Sequence, residues 1–163
     1  MRRAIYPGTF DPPHLGHLDL IRRGCALVDE LVVAVAVNRA KDAVFSQEER
    51  VSLLQECTRN MESVRVEAFQ GLVVDLLHRE EAAFILRGIR TFADFESEYT
   101  MALMNRQISA EGADAETLFV LPTLDYAHYS SRLVKEVASF GGDIRQFLPE
   151  AIRDRVISGL PPG

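Results

Sequence analysis

The chain predicts an α/β fold, a doubly wound parallel sheet in one domain spanning 1–163, and three observations carry that prediction. Short apolar runs alternate with helix-period segments along the chain, which is the pattern of successive βαβ units. One run, Leu31–Val37, is apolar at every position, as expected of a central parallel strand covered on both faces. The opening RRAIYPGTFDPPHLGH joins a strand pattern to a glycine turn and then to a helix start.

Taken in order, Ala4, Ile5 and Tyr6 give the apolar end of a first strand, and Pro7-Gly8 breaks it. Residues 9–13 form a loop whose backbone amides can turn toward an anion. Asp11 is placed to cap the helix that follows. Pro12 and Pro13 lack an N–H and preset φ, so a helix starting near His14 would aim its free amides and positive dipole end over the strand. That first helix is predicted over Leu15–Asp29, ahead of the Leu31–Val37 strand. Ser46 with Glu49 makes a capping box for a helix over Ser46–Asn60. Further strands are predicted at Val64–Phe69, Ala83–Leu86 and Thr117–Leu121. Helices are predicted over Leu72–Glu81, Asp94–Ile108, Ser131–Phe140 and Glu150–Ser158, and the closing GLPPG reads as a frayed end. A sheet of this kind binds ligands beyond the carboxyl ends of its strands.

A chain of 163 residues buries one good core. Its 24 acidic and 18 basic residues give a net charge of -6, which argues against a nucleic-acid partner held through phosphates. Small anions need only a local cluster of cations. No apolar run reaches signal-peptide or membrane-spanning length, so a cytoplasmic protein with no membrane partner is expected. Cys25 and Cys57 fall in helical patterns without metal-ligand spacing and read as reduced core thiols; no metal site is read from the residues.

His14 and His17 are three apart and share one face of the first helical turn, with Gly16 between them leaving room for a base or ribose against the helix. A bare histidine pair is usually solvated. Here it follows a strand, a glycine turn and a hydroxyl residue, the setting of a phosphate site at a helix start. Basic groups recur at the same sheet edge in Asn38-Arg39-Ala40-Lys41, in Arg87-Gly88-Ile89-Arg90 and near the loop leading to Ser130-Ser131. Singly each is an ordinary surface charge; together they suit a polyanion carrying several phosphates.

The segment GTFDPPHLGH resembles the H-x-G-H signature of the nucleotidyltransferase superfamily. With Asn38-Arg39-Ala40-Lys41, FSQEER, RGIRTFADFESEYTMALMNRQ and SSRLVKEV, the chain is similar in order and spacing to the phosphopantetheine adenylyltransferases, from about Ala4 to Pro149. The resemblance implies a Rossmann-like nucleotidyltransferase fold, a homohexamer, and Mg2+ as cofactor. It implies the reaction of ATP with 4'-phosphopantetheine to give dephospho-coenzyme A and pyrophosphate, in coenzyme A biosynthesis.

The same resemblance implies roles for individual residues. His17 is the catalytic residue, stabilising charge on the α-phosphate. Thr9, Lys41 and Arg87 hold the acceptor phosphate, and Val73 contacts the pantetheine arm. Thr9, Phe10, His17, Gly88, Ile89, Arg90 and Glu98 map to ATP, as do Tyr126, Ala127, His128, Tyr129, Ser130, Ser131 and Arg132. Leu72, Met104 and Asn105 lie near Val73 in this mapping, and the apolar ones fit core packing equally well. His78 reads as a surface residue. The chain departs from the family pattern at His14 and Arg132. Arg132 reads either as a phosphate contact or as a side chain turned to solvent or paired with Glu136. NMN adenylyltransferases share GTFDPPHLGH, so an NMN-specific enzyme is one alternative; a nucleotide sensor of the same fold is another.

Overall fold

Leu31, Val33 and Val35 point to one side of the second strand, Val32 and Ala34 to the other, and all five are fully buried. Such a strand needs a helical layer on each face. The computed structural model, which describes residues 1–37, 43–109 and 115–161, supplies both. Its five strands are β1 (Arg3–Gly8), β2 (Glu30–Ala36), β3 (Val64–Phe69), β4 (Phe84–Gly88) and β5 (Thr117–Val120). They pair in parallel in the order β3-β2-β1-β4-β5. The six helices are α1 (Leu15–Cys25), α2 (Gln47–Thr58), α3 (Val73–Arg79), α4 (Phe92–Ile108), α5 (Ser131–Ser139) and α6 (Arg153–Gly159).

Leu20 and Ile21 of α1 and Leu54 of α2 pack on one face, and Val74, Leu76 and Leu77 of α3 on the other. A satellite core joins Phe45 and Leu53 to Val134 of α5 and Val156 of α6. The expected capping box of α2 is present: Ser46 Oγ accepts from the Glu49 N–H, and the Glu49 carboxylate accepts from the Ser46 N–H.

Several ends differ from expectation. α1 stops at Cys25, four residues short of Asp29, because the Arg2 carbonyl accepts from the Asp29 and Glu30 amides and Glu30 already pairs with Arg3 in the sheet. α4 begins at Phe92 because the Thr91 side chain accepts from the Asp94 amide and caps it. The last predicted helix opens as a 3₁₀ turn, Glu150–Ile152. The closing segment is not frayed at Leu160, which is 9% exposed and belongs to the satellite core. Cys25 and Cys57 are free thiols, each half-buried, and burial pushes the Cys57 thiol up to about 12 with help from Glu56.

The two ends of the sheet differ in charge. At the amino end, Arg3 and Arg65 share Glu30, Arg65 also reaches Glu67 and Glu80, and Arg79 reaches Glu67. Those cations are spent on neighbours. At the carboxyl end one guanidinium is used on backbone: Arg50, 2% exposed, donates from Nε to the Phe45 carbonyl at 3.1 Å. Its Nη1 donates to the carbonyls of Thr9 at 2.5 Å and Ala36 at 3.0 Å. Arg50→Met keeps most of the stem and leaves these carbonyls unpaired, so it should destabilise the fold by at least about 2 kcal/mol, read as a lower midpoint in urea.

Candidate active site

The loop after β1 is built from short-range geometry and long-range bonds together. Phe10 lies in the left-handed region at φ 53°, and its ring folds back over Gly8, where an added Cβ would come within 2.7 Å of it. The buried ring meets Tyr6 edge-on at 5.4 Å and His17 at 4.9 Å. Asp11, which precedes a cis peptide bond to Pro12, does not cap α1. Its buried carboxylate instead accepts from the amides of Val44 at 3.1 Å and Phe45 at 3.0 Å, and from Lys135 Nζ at 2.9 Å.

His14 is the cap. Its Nδ1 accepts from the Gly16 N–H at 3.1 Å, while its own backbone N–H donates to His17 Nδ1 at 3.2 Å. The Gly16 amide, expected to face a phosphate, is therefore used within the protein. Gly16 also lines the first cavity, and a Cβ there would press on the His14 ring at 3.0 Å.

The two histidine rings stack with centroids 3.7 Å apart. Because each Nδ1 is an acceptor, each neutral ring carries its proton on Nε2. Burial, with the Arg90 charge adding, holds His14 at about 3. Burial also holds His17 well below the usual histidine range, helped by His14 and Arg90. Both rings are neutral at pH 7, and His17 offers an N–H to the crevice it lines.

Two cavities open beyond the carboxyl ends of the strands, beside the point between β1 and β4 where the strand order reverses. The first, about 270 Å³, is lined by Thr9, Phe10, His17, Gly88 and Arg90, and by Tyr126, Tyr129, Ser130 and Ser131. His14 and Tyr6 line it as well. Five residues expected on the nucleotide side are not among its walls: Ile89, Glu98, Ala127, His128 and Arg132. Ile89 is buried beside a separate hollow with Phe92 and Phe95, because its side chain leaves the opposite side of the strand end from Gly88 and Arg90. His128 is exposed and packs edge-on against Tyr129 at 4.8 Å. Arg132 is exposed, and among the described ion pairs it joins neither Glu136 nor any other carboxylate.

The second cavity, about 260 Å³, contains Val73, as expected, with Glu98, Met101, Ala102 and the buried Asn105 from one face of α4. Leu72 and Met104 are 53% and 48% exposed, so neither is core. Pro7, Gly8, Thr9 and Arg87 line both cavities and form their junction. Lys41 lies outside the described residues. His78 is partly buried and bonds Ser109 through Nε2 at 3.0 Å, away from both cavities.

Arg87 donates to Glu98 at 2.6 and 2.5 Å and to the Pro7 carbonyl at 2.7 Å, which leaves two of its five N–H donors for a ligand. Arg90 is braced by Asp94 at 2.9 Å and by the Tyr129 carbonyl at 2.8 Å. Asp19 of α1 accepts from the Thr123 amide and hydroxyl at 2.8 and 2.7 Å, fixing the approach to Tyr126. The Ser131 hydroxyl donates to the Pro12 carbonyl at 2.8 Å. The first cavity thus offers braced cations and neutral donors to a polyphosphate, and the second offers an apolar channel ending in amide and hydroxyl groups. Among the described residues no group of three or more His, Cys, Asp and Glu could hold a metal ion.

Comparison with known proteins extends this geometry. The profile of the family described as Cytidylyltransferase-like matches residues 5–137. The phosphopantetheine adenylyltransferase of Syntrophotalea carbinolica is 46% identical over 160 residues, covering 98% of this chain and 95% of its own. That of Clostridium perfringens is 43% identical over 162 residues, covering 97% of each. Among solved structures, a bifunctional NMN adenylyltransferase/ADP ribose pyrophosphatase from Francisella tularensis has a TM-score of 0.67 at 13% identity, covering 90% of this chain and 44% of that one. The lipopolysaccharide core biosynthesis protein from Thermoplasma volcanium has a TM-score of 0.56 at 24% identity, covering 76% of this chain and 98% of that one. These two structures show the shared fold.

The suppressed histidines set an acid limit on stability. Between the unfolded-state value of 6.5 and about 3, the unfolded chain binds protons that the folded His14 does not, and His17 acts in the same direction. Stability is therefore full above pH 6.5 and falls as pH drops below it, by up to about 1.4 kcal/mol per pH unit for each histidine. The carboxylates held low by their partners, Glu30 and Glu80 among them, contribute stability that is kept at neutral pH and lost only as pH falls toward 4.5 and below, so the histidines dominate the upper part of this window. Urea midpoints between pH 6.5 and 4.5 should fall steeply for the wild type. They should fall much less for H14N/H17N, in which the side-chain amide oxygen at position 14 still caps α1.

Proposed function

The chain belongs to the cytidylyltransferase-like family and stands within it among the phosphopantetheine adenylyltransferases, and from that premise we infer that it transfers the adenylyl group of ATP to 4'-phosphopantetheine. The products are dephospho-coenzyme A and pyrophosphate. The observation that carries this reading in the structure is the junction of two cavities at Thr9 and Arg87, beside neutral His17. One cavity suits a nucleoside triphosphate and the other a slender, mostly apolar arm bearing a phosphate at one end.

In this reading an oxygen of the acceptor phosphate attacks the α-phosphorus of ATP in line. The new P–O bond forms as the bond to the bridging oxygen breaks, and pyrophosphate leaves with the electron pair. The acceptor is already an anion at neutral pH, so no base is needed and positioning with charge stabilisation does the catalysis. Arg87 uses its two remaining donors on the acceptor phosphate. His17 donates Nε2–H to the α-phosphate, and being neutral it adds no charge that must be relieved. Arg90, Ser130 and Ser131 take the outer phosphates, and Tyr126 and Tyr129 flank the nucleoside. Glu98 acts through Arg87, holding its fork in place.

Magnesium belongs to this reading as a companion of the nucleotide. Glu98, which lines the second cavity, and Asp94, which braces Arg90, are engaged by arginines, so the donor set fits a hydrated ion carried on the triphosphate, where it would offset phosphate charge. The reading also includes a homohexamer in the cytoplasm. Supporting assembly, α4 leaves Phe92, Phe95, Tyr99, Leu103 and Ile108 between 44% and 94% exposed along one chain segment, more apolar surface than a lone subunit usually shows. Among the described residues no helix is long and apolar enough to cross a membrane.

Pyrophosphate release from ATP should require 4'-phosphopantetheine; release with NMN alone would reassign the acceptor. His17→Ala should cut kcat by roughly 10²–10³ and leave ATP binding nearly intact. Arg87→Ala should raise KM for 4'-phosphopantetheine more than KM for ATP. Sedimentation should give the mass of six chains, and Tyr99→Glu should lower it.

A further inference from the structure

We propose that the Tyr6 hydroxyl is a further substrate contact in the first cavity, donating its hydrogen bond to a phosphate oxygen of the bound nucleotide. Tyr6 lies near the end of β1, where period-two alternation sends Ala4 and Tyr6 to the α1 face of the sheet and Ile5 to the other. Its ring is anchored among buried apolar groups and meets Phe10 edge-on, and the residue is 5% exposed. It lines the first cavity and not the second. The ring is packed, but the hydroxyl is not among the buried unpaired polar atoms: it opens into the first cavity, where a phenol ordinarily takes a hydrogen-bond partner from solvent or ligand. Among the described residues the Tyr6 hydroxyl has none.

The groups around it explain why the protein supplies no acceptor. Arg87 and Arg90 act on the hydroxyl electrostatically, but a guanidinium has only donors. Both Glu98 oxygens are taken by Arg87. His17 Nδ1 is taken by the His14 amide, and its Nε2 carries a proton. Burial keeps the phenol protonated far above any working pH, so it stays a donor. A donor on the wall of this cavity, beside two braced arginines and a ring nitrogen that also donates, is complementary to an oxyanion. Confinement to the first cavity selects the nucleotide phosphates over the acceptor phosphate. This inference rests on the adenylyl-transfer reading.

Tyr6→Phe keeps the ring against Phe10 and removes only the O–H. With magnesium present, kcat/KM for ATP should fall roughly ten- to hundred-fold, as for loss of a hydrogen bond to a charged group. KM for 4'-phosphopantetheine should stay within twofold, and Tm should be unchanged or higher. A kcat/KM for ATP within twofold of wild type would mean the hydroxyl meets only water. A loss confined to KM for 4'-phosphopantetheine, or one that tracks a falling Tm, would equally overturn the proposal. ATP affinity of both proteins by calorimetry separates the two readings. An inactive wild type that still binds ATP more tightly than Tyr6→Phe would sink the choice of reaction and leave the Tyr6 contact standing.

Discussion

The loop from Thr9 to Pro13 has no regular structure of its own, and its shape is set by hydrogen bonds that arrive from distant parts of the chain. Arg50 of α2 takes the Thr9 carbonyl, Val44 and Phe45 with Lys135 take the Asp11 carboxylate, and Ser131 of α5 takes the Pro12 carbonyl. A buried irregular segment must have its backbone polar groups satisfied, and these bonds do it. The consequence for the site is direct. Thr9 stands at the junction of the two cavities only because its carbonyl is tied to the same guanidinium as the end of β2. The strained backbone of Phe10 is tolerated because the surrounding contacts leave it no alternative.

Local chemistry was legible in the sequence and long-range chemistry was not. The Leu31–Val37 run, the Ser46–Glu49 box and the shared face of His14 and His17 each depend on residues within a few positions, and each appears in the structure within a residue or so of its expected place. Asp11 misled the reading because an aspartate before a helix is ordinarily a cap, whereas its actual partners lie 33, 34 and 124 residues away. Arg50 gave no signal beyond its place in FSQEER, since nothing local shows that an arginine in the first turn of this helix will be 2% exposed. The pairing of the Glu98 carboxylate with Arg87 at the wall of the second cavity spans eleven residues and two elements, and no local pattern signals it. Tyr6 looked like one more strand residue, because its exclusion from hydrogen bonding exists only in three dimensions.

The electrostatics of the crevice follow from which cations are left over. At the amino end of the sheet the arginines are consumed by Glu30, Glu67 and Glu80, while at the carboxyl end Arg87 and Arg90 each meet one carboxylate and keep donors in reserve. Adding two histidinium charges beside Arg90 would make the crevice strongly self-repelling. Burial and mutual stacking remove that problem by keeping both rings neutral, so the positive potential is concentrated in groups whose geometry is already braced. Neutral donors fit a transfer whose nucleophile arrives ionised, since a charged imidazole would gain little in the transition state that it did not already have with bound substrate.

Helix α4 serves both cavity and surface, so the second cavity and the apolar outer stripe share one element. Residues 98, 101, 102 and 105 fall on one side at helical spacing and form a wall of the second cavity, while Phe95, Tyr99 and Leu103 follow one another at i, i+4 and i+8 along an exposed stripe. Only Asn105 of its 17 residues is buried, so little of this long helix is held by the core. A partner surface packed against that outer face would fix the position of α4, and with it Glu98 and the fork of Arg87. Assembly and acceptor binding would then share one element. The first cavity, by contrast, is tied to α1, α2 and α5 of the same chain through His14, Arg50 and Ser131, so its shape does not depend on what covers α4.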